Sequence, residues 1–102
     1  MIPASLEYFK ESLGGQAPPG NWPDALKALW HIYKGDWEAS HNIAQELDSQ
    51  MGSWIHAHLH RREGDRWNAG YWYNRAAKEY PRNSLEEELE LLVRANVEEG
   101  PL

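Results

Sequence analysis

Cysteine is absent from the 102 residues, which excludes disulfides, thiolate-ligated zinc and thiol nucleophiles together. Excess positive charge is also lacking: ten Lys and Arg face sixteen Asp and Glu, for a net charge of −6. Binding to a phosphate backbone needs clustered cations, so nucleic acid is not an expected partner. No stretch approaches the roughly 18 consecutive apolar residues of a membrane span. The N-terminus, MIPASLEYFKESL, lacks the basic start and apolar run of a signal peptide. No membrane and a cytoplasmic location are therefore expected. Phenylalanine occurs once, against six Trp and five Tyr. Rings that carry a polar atom thus replace those that do not. Such side chains need a partner when buried, or a groove or subunit contact to face.

What is present suits one helical domain. Hydrophobic residues make up 41% and charged residues 25%, ordinary for a globular chain. Helical spacing recurs in Leu6, Phe9 and Leu13, then in Leu26, Leu29, Trp30 and Tyr33. Ile43, Ala44 and Leu47 continue it, and Leu85, Leu89, Leu92 and Val93 close the chain. Gly14-Gly15, the QAPPGNWP loop, Gly35, Gly52, Gly64 and Pro81 punctuate these runs. Asn21 or Trp22 should cap the helix that starts near Asp24, with Pro23 in its first turn. Gly52 should close a helix and Ser53 cap the next, which ends at Gly64-Asp65. The following helix, from Arg66, is expected to run to Tyr80. Ser84 with Glu87 forms a capping box, and the acidic run Glu86 to Glu88 reads as a solvated first turn.

A shift of 29 positions superposes Ala28 on Ala57, His31 on His60, Gly35 on Gly64 and Asp36 on Asp65. The duplicated unit is helix, Gly-Asp corner, helix, with the aspartates as N-caps rather than catalytic carboxylates. The expected fold is all-α: about five helices, with two stacked αα-hairpins between N- and C-terminal capping helices. The segments are 1–20 (capping helix and Pro/Gly loop), 21–52 and 53–81 (the two units), and 82–102 (the second cap).

The chain is organised around Trp54 to Arg75, which holds three of the five histidines and three of the six tryptophans. At about 100° per residue, His56 and His60 lie about 40° apart, and Glu63 about 20° to the other side of His56. His58 points about 160° from His60 and leaves the stripe. If His41 on the neighbouring helix faced it, two or three imidazoles and a carboxylate would converge. The metal candidates are therefore His41, His56, His60 and Glu63, a set suited to Zn²⁺ or another borderline divalent ion. Without metal, His56 or His60 oriented by Glu63 or Asp65 would suit acid–base chemistry, with an arginine such as Arg61 receiving an anion. Asn68, Trp72 and Arg75 form a second stripe suited to reading a peptide.

The NAGYWYNRAAKEYP segment resembles the second helix of tetratricopeptide and related helical repeats, although the 29-residue period is shorter. Residues 35 to 77 also resemble a group of small bacterial and fungal proteins with the pattern W-x-H-x-x-x-H-R-x-E-x-D-x-x-N-A-x-Y-W-x-x-R. Trp54, His56, His60, Arg61, Glu63, Asp65, Asn68, Ala69, Tyr71, Trp72 and Arg75 match it. That resemblance implies kinship and no mechanism. The expected function is a helical-repeat module for a protein, peptide or small ligand, with a homodimer as one outlet for its aromatics. The alternative is a small metal-dependent or histidine acid–base enzyme using His56, His60 and Glu63.

Overall fold

A computed structural model describes residues 2–98, and among them every regular element is helical. The helices are α1 (Leu6–Glu11), α2 (Asp24–Tyr33), α3 (Trp37–Ala44), α4 (Gln50–Arg62), α5 (Arg66–Arg75) and α6 (Leu85–Arg94). A 3-10 turn, Ser12–Gly14, extends α1. The all-α expectation holds, with six helices where about five were expected: four in the hairpins and one toward each end. The final four residues of the expected second cap lie outside the described residues. Among those described, no helix is long and apolar enough to cross a membrane.

The duplicated Gly-Asp corner is one structure used twice. Gly35 and Gly64 adopt φ of 79° and 82°, the left-handed region that costs glycine nothing. In the first corner the Gly35 N–H donates to the Ile32 carbonyl at 3.0 Å and the Asp36 N–H to that of His31 at 2.9 Å. Gly64 to Arg61 and Asp65 to His60 repeat this at 3.1 and 2.9 Å. Both are Schellman closures, which satisfy the last carbonyls of the outgoing helix. Asp36 then accepts from the Ala39 N–H and Asp65 from that of Asn68, capping the incoming helix.

Helix α3 ends at Ala44 instead of running on toward Gly52, and three further boundaries differ from expectation, each for a local reason. Pro23 itself takes the cap position of α2, and its carbonyl accepts from the Leu26 and Lys27 N–H groups. Helix α4 begins earlier than expected, because Ser49, not Ser53, accepts from the Gly52 N–H at 3.0 Å. Gly52 therefore lies inside α4, where a Cβ would collide with the backbone of Leu47. Helix α5 stops at Arg75 instead of Tyr80, because a third Schellman closure forms there. The Lys78 N–H donates to the Tyr73 carbonyl at 2.9 Å, and Ala77 takes the left-handed position at φ 58°.

Helix α4 is central and packs against α2, α3, α5 and α6. Its Ile55 and Leu59 join Phe9, Leu29, Leu89 and Leu92 in the main core. Ala57 meets Ala69 and Tyr73 where α4 crosses α5. The small alanines allow this close crossing.

The acidic run of α6 is not wholly solvated. Glu88 is 2% exposed and occupies the apolar side of the helix with Leu89 and Leu92. Its carboxylate accepts from His58 Nδ1 at 2.7 Å, Trp54 Nε1 at 3.0 Å, Arg61 Nη1 at 3.0 Å and the Tyr73 hydroxyl at 2.6 Å. Arg62 Nε donates to His58 Nε2 at 2.8 Å. Arginine can only donate, so His58 is neutral and carries its proton on Nδ1. Burial keeps His58 below its ordinary pKa, consistent with that tautomer. Burial alone would raise the Glu88 carboxyl, but the hydrogen bonds from His58, Tyr73 and Trp54 outweigh it and hold the pKa at about 2.

Glu88→Gln replaces an acceptor of four groups with an amide that is half donor and leaves Arg61 without its counter-charge. Urea denaturation at neutral pH is expected to show a loss of about 3–5 kcal/mol. The Glu88 pKa is depressed on folding, so its contribution is complete above the ordinary carboxyl value of 4.5 and is lost as pH falls toward about 2. That acid-dependent component should vanish in the Gln variant. Ala77→Gly relieves a left-handed alanine and should add about 1 kcal/mol, less the entropy that glycine gains when unfolded. Thermal unfolding would register the remainder as a rise of at most about 5 °C.

Candidate metal centre

The opposite side of α4 from His58 carries His56 and His60, and α3 lies against that side. His41 Nε2 reaches His56 Nε2 at 2.8 Å. One ring nitrogen from each of His41, His56 and His60 lies within 4.8 Å of the others. The ring centroids of His56 and His60 are 5.0 Å apart at 21°, as i, i+4 spacing on one helix dictates. His41 approaches both edge-on, at 4.5 and 5.6 Å.

Indoles bound the triad. Trp37 stacks on His41 at 4.7 Å and stands edge-on to His60 at 5.9 Å. Its Nε1 donates to the Leu59 carbonyl at 2.8 Å, which anchors α3 to α4. Trp72 of α5 stacks on His56 at 3.9 Å. Three helices therefore build the site: α3 brings Trp37 and His41, α4 brings His56 and His60, and α5 brings Trp72.

The electrostatics favour the neutral form of His56 and His41. Burial, then the neighbouring His41 and His60, push His56 down to about 4. Burial and His60 also lower His41, while Glu63 opposes them. Neutral imidazoles are the protonation state that metal binding requires. The 2.8 Å contact is a hydrogen bond in which one ring donates and the other accepts. Tetrahedral Zn–N bonds of 2.0–2.1 Å hold donor nitrogens roughly 3.3 Å apart, so an ion would take the proton's place after a separation of roughly 0.5 Å.

Glu63 does not join the three nitrogens. Its Oε1 holds His60 Nδ1 at 2.8 Å, leaving Nε2 as the ring's other nitrogen. Its place is thus that of a carboxylate orienting the His60 ring from behind. His60, Glu63 and Asp65 also offer atoms within 4.8 Å of one another. Both Asp65 oxygens, however, are engaged by Asn68, through its backbone N–H at 3.2 Å and its Nδ2 at 2.6 Å. Those bonds hold the Asp65 carboxyl below its ordinary pKa.

The other candidates divide in the same way. Asn68 spends its amide on this cap. Arg61 is committed to Glu88 and Asn83, and Arg62 to His58 and Glu86. Arg75 lies against Trp72, 5.3 Å from the ring centroid, with its Nη1 3.5 Å from the Tyr71 hydroxyl. Glu88 is the residue that the sequence reading passed over. Its position i−1 to Leu89 and i−4 to Leu92, on the apolar side of α6, was the available signal. A cleft of about 420 Å³ beside it is lined by Trp54, Lys78, Pro81, Leu91 and Ala95. The Glu88 oxygens are already engaged, and the cleft holds none of the triad.

Compared with known proteins, the chain matches no family model, no curated protein and no solved structure. The kinship suggested for residues 35 to 77 rests on the residue pattern quoted above.

If the triad serves a site while His58 serves the fold, their replacements must differ. His56→Gln with His60→Gln is expected to cost about 1 kcal/mol. His58→Ala should cost about 3 kcal/mol, because it strips a donor from buried Glu88 and an acceptor from Arg62. Urea denaturation of both variants measures this; the reverse order would make the triad part of the core.

Proposed function

We propose that the protein is a metal-binding helical module whose ligands are His41, His56 and His60, with Glu63 orienting His60 from behind. The reading reverses the order in which the sequence ranked the two functions. One observation carries it: imidazoles from two different helices meet at 2.8 Å between two indoles, instead of spreading over the surface. An all-nitrogen donor set suits Zn²⁺ and its borderline neighbours over Mg²⁺ or Ca²⁺, which prefer oxygen. The two αα-hairpins supply the rigid frame, and their stacking brings His41 of the first against His56 and His60 of the second.

The interaction-module reading retains one supporting observation of its own. Trp67 is 79% exposed and lies parallel to Tyr71 on the outer side of α5, with ring centroids 6.5 Å apart. A protein or peptide partner, or a second copy of the chain, would dock there, separate from the histidines.

Zinc added to chelator-treated protein tests the metal reading. At a hundredfold excess over Kd, binding stabilises the native state by about 2.7 kcal/mol. Thermal unfolding should then rise by about 10–20 °C for a domain of this size. The rise is expected to disappear in the His56→Gln, His60→Gln double variant. An unchanged melting temperature in the wild-type chain refutes the proposal.

A further inference from the structure

We infer that the outer side of α5 is a docking face for an acidic amphipathic helix of a partner protein. This develops the exposed Trp67–Tyr71 pair noted above and uses none of the three histidines, so it and the metal reading fail separately.

The shape of the face comes first. Trp67 and Tyr71 share it at i, i+4 spacing and are 79% and 48% exposed, with their rings within 12° of parallel. Aromatic area left in water is area that a partner can cover with a gain in free energy. Gly70 lies on the same side in mid-helix, and a Cβ there would meet nothing within 4 Å. Glycine weakens a helix interior, and packing inside the chain does not require it at this position. On an outward helix face it lets a second backbone come close.

Charge then selects the partner. Helix α5 carries Arg66 and Arg75 and no Asp or Glu, on a chain whose net charge is −6. At about 100° and 1.5 Å per residue, the two arginines flank the aromatic strip on opposite sides, about 14 Å apart along the axis. Arg66 lies over the Tyr80 ring and Arg75 over that of Trp72, and neither forms an ion pair among the described residues. The carboxylates of the preceding corner, Glu63 and Asp65, are held by His60 and Asn68. Tryptophan, tyrosine and arginine are the side chains that contribute most at protein interfaces. An apolar strip bordered by guanidinium groups fits an apolar strip bordered by carboxylates, which is the surface of an acidic amphipathic helix. A second copy fits less well, because joining two α5 faces would bring the arginines of both chains together.

The test titrates the chelator-treated full chain into a fluorescein-labelled helical peptide of about 16 residues. The peptide contains Glu, Leu and Ala, with Leu along one side and Glu on its borders. Fluorescence anisotropy should rise saturably, and a peptide with Lys in place of every Glu should bind roughly tenfold more weakly. Trp67→Ser should weaken the Glu peptide roughly tenfold, and Arg66→Gln with Arg75→Gln by a similar factor. Gly70→Ala should raise the melting temperature by about 5 °C yet weaken the peptide roughly fivefold, a pairing that a purely structural glycine would not produce. Absent binding, equal binding of the Glu and Lys peptides, or an affinity that none of these variants changes overturns the inference. A dimer in analytical ultracentrifugation that Trp67→Ser dissociates also overturns it, since the face would then belong to a second copy.

Discussion

The fold and the histidine site both depend on how α4 is rotated, and the buried Glu88 carboxylate sets that rotation. Glu88 reaches from α6 into the core and collects donors from Trp54, His58 and Arg61 on α4 and from Tyr73 on α5. A buried carboxylate is tolerated only with such partners, so the alignment of the three helices is specified closely. With His58 drawn toward α6, helical geometry sends His56 and His60 toward the far side. There they meet α3.

The duplication explains where the site lies. The two hairpins share their Gly-Asp corners down to individual hydrogen bonds, yet neither holds the triad alone. At the shift of 29, His41 corresponds to Gly70 and His56 to Lys27. The site therefore belongs to the junction between the units. The same comparison accounts for a small imperfection in the first unit. Buried Ser40 stands where Ala69 stands in the second, and its hydroxyl has no hydrogen-bond partner among the described residues. The hydroxyl gains nothing from a crossing that asks only for a small side chain.

Aromatic excess has a use at this junction. Trp37 is both wall and strut, stacked on His41 while its N–H bonds to α4. Trp54 gives its N–H to Glu88. Tyr73 does the same with its hydroxyl and packs edge-on against Tyr80 at 5.1 Å. Phenylalanine in these places would take from the carboxylate two of its four donor groups and from the Leu59 carbonyl the indole N–H. Trp67 and Tyr71 remain exposed and take no part in this network.

Local order in the chain determined the all-helical class, the Gly-Asp corners and their aspartate caps, because each depends on residues within one or two turns. It likewise determined that His56 and His60 share a side of a helix that His58 does not, since that is a matter of helical period. Helix ends were less legible: Ala77 in the left-handed region and Gly52 against Leu47 reflect contacts that no propensity encodes. Tertiary structure alone decided that His41 reaches His56 and that Arg61 serves the fold. It also decided that one glutamate of an acidic run is buried. In each of these cases the partners lie on different helices, and their distance depends on how the helices pack and rotate against one another.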